Sequence, residues 1–188
     1  MDDDLSSRLA QAKLAGTQPI TRDALLRRLR SEATTWINAV RMQRRRVVPI
    51  ENGDLWEIEI DLHFLLVALV RVERAVARAA SEDAAIDQQL RGALDDFRSA
   101  LPGLRVMRDV AEHADEYNLS KGQRHPVGRS EVQVWSMSVT TARGVVWSWL
   151  GHELDVDAAE AAAAALYNAL DATLTPILGD SHRTDRAS

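Results

Sequence analysis

The stretch from Ile58 to Val76 constrains the fold more than any other part of the chain. Ile58, Leu62, Leu65, Leu69, Val72 and Val76 recur at helical spacing, and Phe64 and Val67 add a second apolar face. Between Leu62 and Val70 the helix is apolar nearly all round, and a helix apolar on most sides sits in the middle of a bundle. Asp54 followed by Glu57 supplies a capping-box-like start for it. The apolar run Phe64–Val70 is far too short to span a bilayer. The remaining elements are therefore expected to be helices laid around this one.

They can be read in order. Residues 4–15 make a short helix with Leu5, Leu9 and Ala12 inward, ended by Gly16 and Pro19. Thr21 caps a second helix whose apolar stripe is Leu25, Leu29, Ala33, Trp36, Ile37 and Val40. Its last turn carries Arg44, Arg45 and Arg46, where cations complement the helix dipole. The apolar helix comes third, and Ser81 is placed to cap a fourth, with Ile86, Leu90, Leu94, Phe97 and Leu101 inward. Leu101-Pro102-Gly103 breaks that helix, and a fifth opens at Leu104 and runs to Tyr117. A loop containing Gly122, Pro126 and Gly128 follows.

There the period changes from helical to alternating. Trp135, Met137 and Val139 alternate with serines, and Val145, Trp147 and Trp149 do the same after a turn around Thr141–Gly144. Two such runs joined by a short turn predict a β-hairpin with its aromatic face on the helices. Asp157 and Glu160 then open a long alanine-rich helix to about Leu174, closed by Pro176 and Gly179. The expected architecture is mainly α: one domain over residues 1–178, a bundle of about five to six helices with an added hairpin at about 131–150. A disordered tail is expected over 179–188.

Composition narrows the chemistry. The chain has no cysteine, which removes disulfides, thiolate metal sites and cysteine nucleophiles. An acidic start, Met1-Asp2-Asp3-Asp4-Leu5, is the reverse of a signal peptide, so a cytoplasmic protein is expected. Net charge is −5, yet residues 22–46 hold eight arginines against Asp23 and Glu32, a balance of +6 that leaves −11 elsewhere. One helix is basic and the rest acidic.

The helix from Leu104 concentrates Arg105, Arg108, Asp109, Glu112, His113 and Glu116 beside an apolar face of Met107, Val110, Ala114 and Tyr117. Arg108-Asp109, followed after three more residues by His113, resembles the Arg-polar…His motif of the HEPN superfamily. About ten residues carry that resemblance, with a similar helical outline around them. It implies a metal-independent endoribonuclease of toxin or defence type, working as a homodimer with two motifs across one cleft, with a cognate antitoxin or regulatory protein as a further partner. His113 would be the general acid/base, Arg108 would stabilise charge on the phosphate, and Asp109 would orient one of them. No metal or cofactor is implied; by their charge Arg44, Arg45, Arg46 and Arg105 are candidate RNA contacts, although the cluster at 44–46 also reads as a solvated helix end.

Other readings of the same residues stand beside this one. Arg105–Asp109 and Arg108–Glu112 are spaced as ion pairs of an exposed helix face. Asp109 and His113, four apart, are spaced to face each other. Glu112, Asp115 and Glu116 would repel an RNA backbone. Glu59 and His63 also share a helix face and, with Asp109 and His113, could form a carboxylate–imidazole metal site, although the paired Glu-x-x-His pattern of di-iron bundles is missing. The alternative to a nuclease is a non-catalytic helical module of the same outline that binds a partner protein or small ligand beside the helix from Leu104. A basic groove joining Arg44–Arg46 to Arg108 favours the first. An Arg108–Glu112 ion pair with His113 buried favours the second.

Overall fold

A computed structural model describes residues 20–47, 55–119, 121–122, 125–140 and 144–179. The helix expected at 4–15, the connector 48–54 and the tail from Asp180 lie outside the described residues. Four long helices form the frame: α1 (Arg22–Val47), α2 (Leu55–Ala80), α3 (Ala84–Ala100) and α7 (Val156–Leu178). Between α3 and α7 lie α4 (Leu104–Glu112), α5 (Ala114–Asn118), α6 (Arg129–Val132) and the strands β1 (Trp135–Thr140), β2 (Gly144–Trp149) and β3 (His152–Asp155). The mainly helical bundle with a small β-element in its C-terminal half is thus the architecture observed. Among the described residues, no helix is long and apolar enough to cross a membrane.

α2 is the central helix. It packs on α1, α3, α4 and α7, and Leu62, Leu65, Leu66, Leu69, Val72 and Val76 are wholly buried. It is not covered all round, however: Trp56, Ile60 and Phe64 face solvent along its first half. One carboxylate, Glu73, lies in the buried wall. Burial pushes its pKa up, but Arg105 and Arg98 outweigh that and hold it below its ordinary 4.5. Both guanidiniums donate to Glu73 Oε1, at 2.6 and 2.7 Å, so this one oxygen ties the end of α3 and the start of α4 to α2.

Several boundaries differ from the sequence expectation for local reasons. Asp83 rather than Ser81 caps α3, accepting from the Ala85 amide at 2.7 Å. Asp155 rather than Asp157 caps α7, accepting from Ala158 at 2.9 Å. Asp157 is drawn instead to Arg44. α7 runs past Leu174 and through Pro176 to Leu178, where Gly179 ends it at φ 73°; only the last turn follows the proline, so little of the helical bonding is lost. The helix expected over Leu104–Tyr117 is two helices, broken at His113 (φ −121°, ψ 27°).

The β-element has a third strand. β1 and β2 pair as the alternation requires, with Trp135 opposite Trp149 and Met137 opposite Trp147. β3 then adds to β2 with Leu154 opposite Trp147. Its four residues include one large apolar side chain, too few for a periodicity to show. Leu150 (φ 54°) and Gly151 (φ 73°) form the two-residue turn, the positive-φ geometry that suits tight hairpins. Residues 131–132 belong to α6, and β1 starts only at Trp135. Trp147 and Trp149 stack at 5.3 Å between centroids, and the His63 ring of α2 lies 5.9 and 5.6 Å from them. The sheet's aromatic face is thereby seated on the bundle.

Burial lowers the His63 pKa below its ordinary 6.5, with Glu59 opposing weakly. The unfolded chain therefore takes up the proton first, so stability is complete above pH 6.5 and falls as pH drops through the lower folded value. Glu73 adds a second loss below pH 4.5, with the same sign. Urea unfolding across pH is expected to show both steps in the wild type. His63→Phe should flatten the upper step, and Glu73→Gln should shrink the lower one and cost about 1–3 kcal/mol at neutral pH.

Candidate functional site

The motif residues sit where α4 crosses α2. Leu104, Met107 and Val110 dock α4 into the core, and this rotation carries Arg108 inward, leaving it 8% exposed. A guanidinium in such a place needs partners. Arg108 Nη1 donates to Asp109 Oδ1 at 2.7 Å, and its Nη2 is in close contact with Glu112 Oε2. The Arg108–Glu112 pair expected from i,i+4 spacing is formed. The Arg105–Asp109 pair is replaced by Arg105–Glu73.

Asp109 is shared. Its second oxygen, Oδ2, lies 3.4 Å from Nε2 of His125. Burial pushes the Asp109 pKa up, but hydrogen bonds to Arg108 and His125 outweigh that and hold it below its ordinary 3.8. His125 arrives from the loop after α5, and the buried Tyr117 positions it. The Tyr117 hydroxyl accepts from the His125 amide at 3.1 Å. Gly122 lies on the Tyr117 ring so closely that a Cβ there would come within 2.2 Å of it. A glycine lets this loop return over α5.

His113 is not part of that network. The helix breaks at this residue, and its Nδ1 lies 3.5 Å from Glu116 Oε1, with the side chain 30% exposed. The structure therefore joins Arg108 to Asp109 and leaves His113 with a separate partner. His125, absent from the sequence-derived site, takes the imidazole position beside Asp109. The sequence held one signal for it, a histidine in a loop with two glycines and a proline, but nothing in local spacing says where such a loop folds back.

The remaining candidates disperse. Arg44 pairs with Asp157 at 2.5 Å and Glu160 at 3.4 Å, and Asp157 holds its pKa above the ordinary arginine value. Arg46 lies 3.3 Å from Asp61. Arg45 is exposed and unpaired among the described residues. None of these arginines lines the pocket that Arg108 lines. His63 is engaged with the tryptophan pair, and among the described residues no three His, Asp or Glu are gathered as metal ligands. A pocket of about 250 Å³ opens beside α4, lined by Val70, Glu73, Arg74, Arg105, Arg108 and Asp109. A larger one, about 330 Å³, lies elsewhere, between α1 and the end of α7.

No family model, curated protein or solved structure matches this chain.

Replacing Asp109 by Asn removes the charge that holds both Arg108 and His125. The variant should lose about 1–3 kcal/mol at pH 7, read by urea unfolding. The gap to wild type should narrow as pH falls below 3.8, because stability from a depressed carboxylate is lost through its folded pKa.

Proposed function

We propose that this chain is a non-catalytic, HEPN-like helical module that binds a small ligand carrying one anionic group in the pocket beside α4. The observation that carries this reading is the state of Arg108: buried, and held between Asp109 and Glu112. A phosphate reaching it would have to displace a carboxylate. Among the residues that line the pocket, Arg74, Arg105 and Arg108 stand against Glu73 and Asp109, three positive charges against two negative. Arg74 is the member with no carboxylate partner among the described residues, and it is exposed at the pocket. One surplus charge suits a single carboxylate or phosphate, whereas an RNA backbone brings a run of phosphates and needs a basic track. Arg44, Arg46 and Arg105, expected to contact RNA, are each engaged by a carboxylate.

A metal-independent ribonuclease is the second reading, and the partial exposure of His113 favours it. The imidazole can reach solvent, as a general acid or base must. Arg108 would then have to exchange its carboxylates for the scissile phosphate on binding.

One set of measurements separates them. Inorganic phosphate is expected to shift the side-chain Nε–Hε NMR signals of Arg74 and Arg105, and Arg74→Ala should abolish the Arg105 response. RNAs of varied sequence should stay intact in excess EDTA. Cleavage under those conditions that leaves 2′,3′-cyclic phosphate ends and disappears in His113→Ala would replace the module with the nuclease.

A further inference from the structure

The first half of α2 presents a row of large apolar side chains to solvent. Trp56, Ile60 and Phe64 are 60%, 44% and 58% exposed, and their four-residue spacing keeps them on one side of the helix. Half-buried Val67 continues the row. α1 runs antiparallel alongside, with Arg46 on Asp61 and the Arg71 guanidinium 5.6 Å from the Trp36 ring centroid. That register brings Met42, 39% exposed, level with Phe64. Isolated exposed apolar residues are ordinary, but a contiguous patch of this kind marks an interaction surface.

The same side of α2 changes character along its length. Beyond Val67 the outward positions are Arg71, Arg74 and Arg78, all exposed, while exposed Glu57 and half-buried Glu59 flank the apolar row at its start. One helix face therefore reads acidic, apolar, basic. Such a face complements itself when reversed.

We propose that this face binds a second copy of the chain, with the two α2 helices antiparallel about a two-fold axis at Phe64. Glu57 and Arg71 lie equally far from Phe64 in sequence, so each Glu57 meets the second copy's Arg71. Phe64 meets Phe64, and Ile60 meets Val67. A parallel pairing would set glutamate against glutamate and arginine against arginine. The two-fold arrangement is isologous and closed, which limits assembly to a dimer. The apolar patch amounts to about 300–400 Å² per copy, from the ~150–250 Å² an aromatic side chain can bury. That approaches the apolar share of a standard interface of about 800 Å² per partner. This dimer does not depend on the ligand reading. It also differs from the arrangement that the motif resemblance implies, because it is built on α2 and not on paired α4 motifs.

Sedimentation velocity and light scattering on the full chain, from 1 to ~200 µM, test it at the micromolar affinities reached by modest interfaces. The wild type is expected to associate to a dimer. Phe64→Glu, on an exposed site, should keep the helical circular dichroism and weaken the dimer at least about thirty-fold, the effect of losing an interface hot spot. Glu57→Arg and Arg71→Glu should each weaken it, and the double exchange should restore it. Because the chain has no cysteine, Phe64→Cys should give a disulfide-linked dimer on oxidation, while Arg78→Cys, far from the axis, should not. A wild type that stays monomeric over this range, or a dimer indifferent to Phe64→Glu, overturns the proposal. So does a monomer that dimerises only when residues 1–19 are removed, since this chain's own segment would then be the occupant. Dimerisation without charge-exchange rescue overturns the antiparallel register.

Discussion

A carboxylate inside the wall of the central helix sets much of this structure. α2 buries Leu62, Leu65, Leu66, Leu69, Val72 and Val76 completely, which supplies the main apolar driving force for the bundle. Glu73 sits among them, and a buried carboxylate left alone would be costly. Arg98 at the end of α3 and Arg105 at the start of α4 answer it on one oxygen. The chain reversal at Leu101-Pro102-Gly103 is thereby pinned to α2, and the position of α4 follows. The inward turn of Arg108 and the pocket beside it are consequences of that docking.

The charge asymmetry of the sequence is resolved inside the molecule. α1 is strongly basic, yet Arg22, Arg30, Arg44 and Arg46 meet Asp83, Asp171, Asp157 and Asp61 from three other helices. The exposed pairs at Arg22, Arg44 and Arg46 contribute little to stability, about 0–1 kcal/mol each, whereas Arg30 is buried. They engage Arg44 and Arg46 at the basic end of α1, while Arg45 between them stays exposed and unpaired among the described residues. The same neutralisation recurs around Arg108, which lies between Asp109 and Glu112.

The elements themselves were largely legible. Periodicity located the four long helices and the first two strands, because each repeats an apolar signal over three or more turns or several alternations. β3 escaped notice because four residues with Leu154 alone carry no period. Phe64 belongs by sequence to the apolar helix, yet it is exposed together with Trp56 and Ile60, since apolar character does not say which neighbours a helix meets. The site was legible only in part. Arg108 and Asp109 do stand together, but the continuous helix that should have set Asp109 against His113 breaks at His113. Asp109 meets His125 instead, sixteen residues further on.

The sequence by itself determined the class of fold, the breaks at Pro102-Gly103 and at Gly179, and most of the residues that are buried, because these depend on local spacing and on the cost of exposing apolar surface. It also determined which charges had to find partners. Only the tertiary structure decided which partners they found. Arg105 could pair with Asp109 on its own helix or with Glu73 on α2, and the buried carboxylate won because its need was greater. Tyr117 and Gly122 decided that His125, and not His113, would stand beside Asp109. Such choices turn on distances between segments far apart in sequence, which no local pattern records.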